Sequence, residues 1–132
     1  MNEGGTKMPS YDGFPHYVLS KKVPIRGAAY SRLLTDSMVS NKDTNYAYND
    51  IDGFLIHTGS KKIIDGIIKN LEIEKHSDKA NISYEVLSNF ANLSSCSIGF
   101  MLNQVINNRM TGTFLLISFG VGFSGSIATI TI

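Results

Sequence analysis

Few positions in this chain pair a chemically useful residue type with a setting that would use it. His57 ends the run Ile51-Asp-Gly-Phe-Leu-Ile-His57 and is followed by Thr-Gly-Ser60. Asn92 follows Phe90-Ala91 and precedes Leu93-Ser-Ser95. Gly120-Val-Gly122 follows Phe119. These are hydrogen-bonding side chains and paired glycines at junctions between elements. A polar group between the C-terminal end of a buried strand and the next helix lies where open α/β sheets hold their sites. Each position also has a plain structural reading. His57 is then a satisfied core histidine, Asn92 a cap or turn residue, and the glycines a hairpin or bulge.

Other chemistries lack their residues. No HExxH, paired carboxylate or GxSxG occurs, and the glycines do not follow the strand–GxGxxG–helix order of a nucleotide fingerprint. The single cysteine, Cys96, excludes an intrachain disulfide and a CxxC knuckle. His16 has no neighbour that suggests a metal. His76, among Lys75, Asp78 and Lys79, reads as solvated.

The elements that must position these residues follow from periodicity. Phe54-Leu-Ile56 is too short for a helix and reads as a buried strand. Ile63, Ile64, Ile67, Ile68 and Leu71 repeat at helical spacing over 61–71. Pro24 suits a first helical turn, and Ala28, Ala29, Leu33, Leu34 and Met38 continue a helix over 25–39, weakened by Gly27. Residues 1–13 form a loose N-terminal segment, and 14–19 a short strand that Pro15 confines to a start or an edge. Residues 40–49 and 72–80 read as polar surface segments, and 81–90 as ambiguous, with room for one helical turn. The spacing predicts a helix over 93–110, capped by Ser94 or Ser95 and apolar on every face in Cys96–Leu102, hence buried on both sides. After a turn at Thr111-Gly112, Thr113–Phe119 reads as a central strand. Residues 126–132 alternate as a last β-branched strand.

With 132 residues, a net charge of +1, 17% charged and 42% hydrophobic residues, the chain is one ordinary globular domain. Neither a nucleic-acid footprint nor a polybasic membrane patch is visible. No apolar run approaches a membrane span, and no signal peptide is seen. The expected compartment is the reducing cytoplasm.

Taken together, Tyr11-Asp-Gly-Phe14, the strand ending in His57, Phe90-Ala-Asn92-Leu-Ser-Ser and Phe119-Gly-Val-Gly-Phe resemble a known family. It is the C-terminal half of 3-oxoacyl-[acyl-carrier-protein] synthase III and of the chalcone-synthase-like enzymes of the thiolase fold. In that family the histidine is followed by Gln-Ala-Asn or Pro-Gly-Gly; here it is His57-Thr-Gly-Ser. The asparagine sits in Tyr-Gly-Asn-Thr/Met-Ser; here it is Phe90-Ala91-Asn92-Leu93-Ser94. The Gly-Phe-Gly-x-Gly loop has Ser118 at its first glycine. Thr58 and Ala91 are thus departures that spare the candidate side chains.

The resemblance implies an α/β domain over 14–132, half of a thiolase-like fold with a mixed sheet flanked by helices. It implies that the chain starts inside the C-terminal half and lacks the half that carries the nucleophilic cysteine. Cys96, inside an apolar helix four residues after Asn92, does not take that role. In the family the cysteine accepts an acyl group as a thioester. A malonyl thioester then decarboxylates, and its carbanion attacks. His57 and Asn92 would donate hydrogen bonds to the thioester oxygen as enolate charge develops. Gly120 and Gly122 would let backbone approach the acyl site, and Phe119 would line it. The implied substrates are acyl-CoA or acyl-carrier-protein thioesters, with no metal and no other cofactor. The implied partners are a cysteine-bearing half or subunit and a carrier protein or CoA thioester, and an oligomer is expected. A structural or regulatory partner of a condensing enzyme, or an inactive remnant, is the alternative.

Overall fold

A computed structural model describes residues 6–7, 18–19, 22–39, 47–120 and 124–132. The expectations on Tyr11–Phe14, His16 and Gly122 lie outside the described residues. Two short strands, β1 (Thr6–Lys7) and β2 (Val18–Leu19), pair antiparallel. Helix α1 (Val23–Val39) follows. The main sheet holds β3 (Gly53–Ile56), β4 (Thr113–Gly120) and β5 (Ser124–Thr131) in that order. β3 runs parallel to β4, and β4 antiparallel to β5, which makes the sheet mixed. Between β3 and β4 come α2 (Lys61–Asn70), α3 (Asn81–Phe90) and α4 (Ser97–Asn107).

Alternation along the strands divides the core into two layers. Phe54, Ile56, Leu115 and Ile117 face Ile63, Ile64, Ile67 and Ile68 of α2, with Ala28 and Met38 of α1 behind them. Leu55 and Phe114 face Ile82 and Val86 of α3 and Met101 and Val105 of α4. A strand covered on both sides reads as an unbroken apolar run, which is what Phe54-Leu-Ile56 is. Gly53 is required at the start of β3, because a Cβ there would lie 2.5 Å from the Phe114 ring.

Helices α1 and α2 meet through small and polar residues. Buried Ser31 and Thr35 turn their hydroxyls back onto Gly27 and Ser31 carbonyls, at 2.8 and 2.7 Å. The Asn70 amide donates to the Ala28 carbonyl, and the Arg32 guanidinium to the Asn70 carbonyl at 3.1 Å. α2 closes with Ile73 N–H on the Ile68 carbonyl and Glu72 N–H on the Lys69 carbonyl, Glu72 being left-handed.

Three expectations change. Residues 81–90 form a full α-helix, and 74–80 a 3₁₀ segment in which His76 is half-buried. The helix expected over 93–110 is a 3₁₀ turn at 94–96 followed by α4, whose N-cap Cys96 makes no side-chain bond. α4 is also not buried on both sides: Met101 and Val105 are covered, Ile98 and Leu102 partly so, whereas Phe100 and Ile106 are 40% and 62% exposed. Its apolar residues outnumber the positions that its own sheet can cover.

The outer side of β3 is closed by a side chain. Ser83 of α3 accepts the Ile56 N–H at 2.9 Å and donates to the Phe54 carbonyl at 3.1 Å. One fully buried hydroxyl thus replaces a ladder partner. Ser83→Ala leaves two buried backbone groups unpaired, and each such loss costs about 1–3 kcal/mol. Urea denaturation of this variant is expected to show a loss of that size, with Ser83→Thr closer to the wild type.

Candidate functional site

The parallel pairing of β3 with β4 sets where the candidate residues lie. The His57 N–H donates to the Ile117 carbonyl at 2.8 Å and extends the ladder one residue past β3. His57 therefore stands at the C-terminal end of the strand pair. Ser60 then caps α2, its side chain accepting from the Ile63 N–H at 3.3 Å. Gly59 lies between them, and a Cβ on it would meet Ile63 at 2.7 Å and the His57 ring at 3.4 Å.

The His57 side chain is enclosed, with 8% exposure. Phe119 of β4 meets its ring edge-on, with centroids 6.2 Å apart and planes at 84°. Nδ1 is buried and has no hydrogen-bond partner among the described residues. Burial pushes the imidazole below its ordinary value of 6.5, so the ring is neutral at pH 7. A neutral imidazole has one N–H and one lone pair. The fold encloses Nδ1, which leaves Nε2 as the ring nitrogen able to meet a ligand.

Asn92 lies in the turn between α3 and the 3₁₀ segment. Its side chain is exposed, and its Oδ1 accepts the Ser94 N–H at 2.9 Å. A backbone N–H needs an acceptor, so the oxygen must be the end that faces Ser94. The carboxamide NH₂ is then directed away from the turn. Two non-glycine residues with positive φ flank Asn92: Ala91 (φ 60°, ψ −152°) and Ser94 (φ 54°).

The two segments meet through Thr58. Its buried hydroxyl donates to Ser97 Oγ at 2.8 Å and lies 3.4 Å from the Ala91 carbonyl. The structure thus brings the residue after His57 against the residue before Asn92. It brings Phe119 onto the His57 ring. Gly120 pairs with Ser124 where β4 turns toward β5, and it is exposed. Cys96 is exposed, with its N–H on the Leu93 carbonyl. Sequence reasoning missed Thr58, Ser97 and the Ser60 cap. Ser60 before an apolar-periodic run is a recognisable helix start, but two hydroxyls far apart in sequence carry no local signal. Among the described residues no group of three or more His, Cys, Asp or Glu side chains could hold a metal, and no helix is long and apolar enough to cross a membrane.

Residues 42–132 match the family described as 3-oxoacyl-[acyl-carrier-protein (ACP)] synthase III C terminal. The chain is similar to 3,5-dihydroxyphenylacetyl-CoA synthase of Amycolatopsis balhimycina, 28% identical over 117 residues, covering 86% of this chain and 30% of that protein. It superposes on the C-terminal type III polyketide synthase domain of Steely1 from Dictyostelium with a TM-score of 0.81 and 20% identity, over 98% of this chain and 36% of that one. With 3-oxoacyl-(acyl carrier protein) synthase III of Pseudomonas aeruginosa PAO1 the TM-score is 0.75 at 13% identity, over 96% and 39%. The structural likenesses speak for the fold: α/β, part of a thiolase-like fold. The chain spans about a third of the length of these proteins.

Two outcomes follow from this geometry. Ala91 occupies a region that is essentially glycine-only, at a cost of about 1–3 kcal/mol. Ala91→Gly gives back about 0.4–1 kcal/mol through the looser unfolded chain. A net gain of roughly 1 kcal/mol is expected in urea denaturation, with unchanged slope. His57 takes up its proton more readily in the unfolded chain than in the fold. Its contribution is therefore complete above its unfolded value and is lost as pH falls through the lower folded one. Stability of the wild type should fall more steeply on acidification below about pH 6.5 than that of His57→Gln. Parallel curves would show that the ring is not held neutral.

Proposed function

The chain belongs to the 3-oxoacyl-[acyl-carrier-protein] synthase III C-terminal family, and from that premise we propose that it is the histidine- and asparagine-bearing part of a decarboxylative condensing enzyme. The substrates are an acyl thioester and a malonyl thioester, carried by CoA or an acyl carrier protein. His57 and Asn92 donate hydrogen bonds to the malonyl thioester oxygen as carbon dioxide leaves and enolate charge develops. The reading is carried by one observation: an imidazole that burial keeps from charging, at the C-terminal end of a buried strand and edge-on to Phe119. A neutral ring suits a donor that must stabilise an anion without surrendering a proton. The Asn92 amide, its oxygen engaged by Ser94, offers its NH₂ end as the second donor.

The remaining roles are assigned on the same basis. Phe119 holds the imidazole plane and walls the site. Gly120 and Gly122 admit the acyl chain along backbone. The nucleophile comes from a cysteine-bearing partner half, because this chain's single cysteine, Cys96, is exposed in the 3₁₀ turn before α4. The exposed Phe90–Phe100 pair, with centroids 5.1 Å apart, and Ile106 offer an apolar surface for that half.

Condensation is expected from this chain mixed with a cysteine-bearing half, and not from the chain alone. Removing one oxyanion donor costs about 10²–10³ in kcat. His57→Ala and Asn92→Ala are each expected to lower malonyl decarboxylation by that factor, while acylation of the partner's cysteine is nearly unchanged. Equal losses in both half-reactions, or condensation by the isolated chain that survives Cys96→Ser, would overturn the assignment.

A further inference from the structure

The turn that carries Asn92 is not one that its residues favour. Ala91 and Ser94 both hold positive φ without being glycine, and Asn92 lies between them. Such a turn persists only where its surroundings fix it. The surroundings here are two fully buried hydroxyls, those of Thr58 and Ser97. Ser97 Oγ is 2.9 Å from the Ser94 carbonyl, which can only accept, so the Ser97 proton points there. The Thr58 proton then goes to Ser97 Oγ at 2.8 Å, the nearer of its two acceptors, the Ala91 carbonyl lying at 3.4 Å. Ser94 gives its own N–H, in the preceding peptide unit, to Asn92 Oδ1. An unbroken path therefore runs from the peptide beside His57, through Thr58, Ser97 and Ser94, to the Asn92 carboxamide.

We propose that Thr58 and Ser97 are positioning residues whose hydroxyl relay sets the Asn92 carboxamide relative to His57. The proposal rests on the reading of His57 and Asn92 as paired donors, since only such a pair needs a fixed mutual geometry. Threonine is suited to this place for two reasons. Its hydroxyl supplies the donor, and its methyl group fills a buried position beside the strand end.

The test is made on the full chain without ligand, so it fails or succeeds independently of any activity. Hydrogen exchange at the Ser94 amide and the NMR signals of the Asn92 side-chain NH₂ report the turn directly. Thr58→Val keeps the shape and removes the donor. It is expected to speed Ser94 exchange about threefold to tenfold, the loss of one net hydrogen bond, and to broaden or shift the Asn92 NH₂ pair. Amides of β4 should stay protected. Thr58→Ser should restore the wild-type values. Ser97→Ala should match Thr58→Val, and the double variant should be no worse than either, because one relay can be broken only once. Unchanged Ser94 exchange and Asn92 signals in both single variants would overturn the proposal, as would additive effects in the double variant. If Thr58→Val does not fold, Ser97→Ala carries the same readouts.

Discussion

Two parallel strands cannot be joined by a hairpin. The pairing of Gly53–Ile56 with Phe114–Ile117 therefore governs everything between them. The intervening chain has to leave from one end of the pair and re-enter at the other, and α2, α3 and α4 are its means of doing so. The contacts of β3 mark the course of α3. The Lys79 ammonium donates to the Ile51 carbonyl at 2.6 Å, Ser83 bonds Phe54 and Ile56, and Ala91 comes against Thr58. α3 thus runs alongside β3 in the same direction and delivers the Asn92 turn to the end where His57 stands. The site is a consequence of strand polarity.

Much of this was legible in the sequence, and the reason differs by element. The Phe54–Ile56 run, the isoleucine period of α2 and the alternation of β5 are local signals, because each is produced by a face meeting a core. α3 was not legible. Its buried residues are Ile82, Ser83 and Val86, and a serine in the middle breaks an apolar pattern although it is there to serve the backbone of β3. α4 misled in the opposite direction. Phe100 and Ile106 look like core residues in sequence, yet this chain's own sheet does not cover them.

The site shows the same division. His57 and Phe119 could be placed because each follows a readable strand. Asn92 could be named, but its setting could not be read. The 3₁₀ turn after it depends on a positive φ at Ser94 and on bonds to Thr58 and Ser97, partners remote in sequence. The family pattern supplied the candidates for chemistry. The partners bonded around the Asn92 turn were visible only in three dimensions, and they include one of the positions where this chain departs from that pattern, Thr58.

The Ser83 hydroxyl has a consequence for the order in which the chain is made. A strand with an unpaired rim is a template for other extended chains, and Phe54-Leu-Ile56 is an uncharged apolar segment of the sort that templates well. Ser83 silences that rim in the finished fold. It is synthesised later, 27 residues after Ile56. At about 5–20 residues per second, the strand waits roughly one to five seconds for its seal. During that interval protection must come from elsewhere, and the nearest source is α2, whose isoleucines emerge first and bury one face of β3 before the rim is closed.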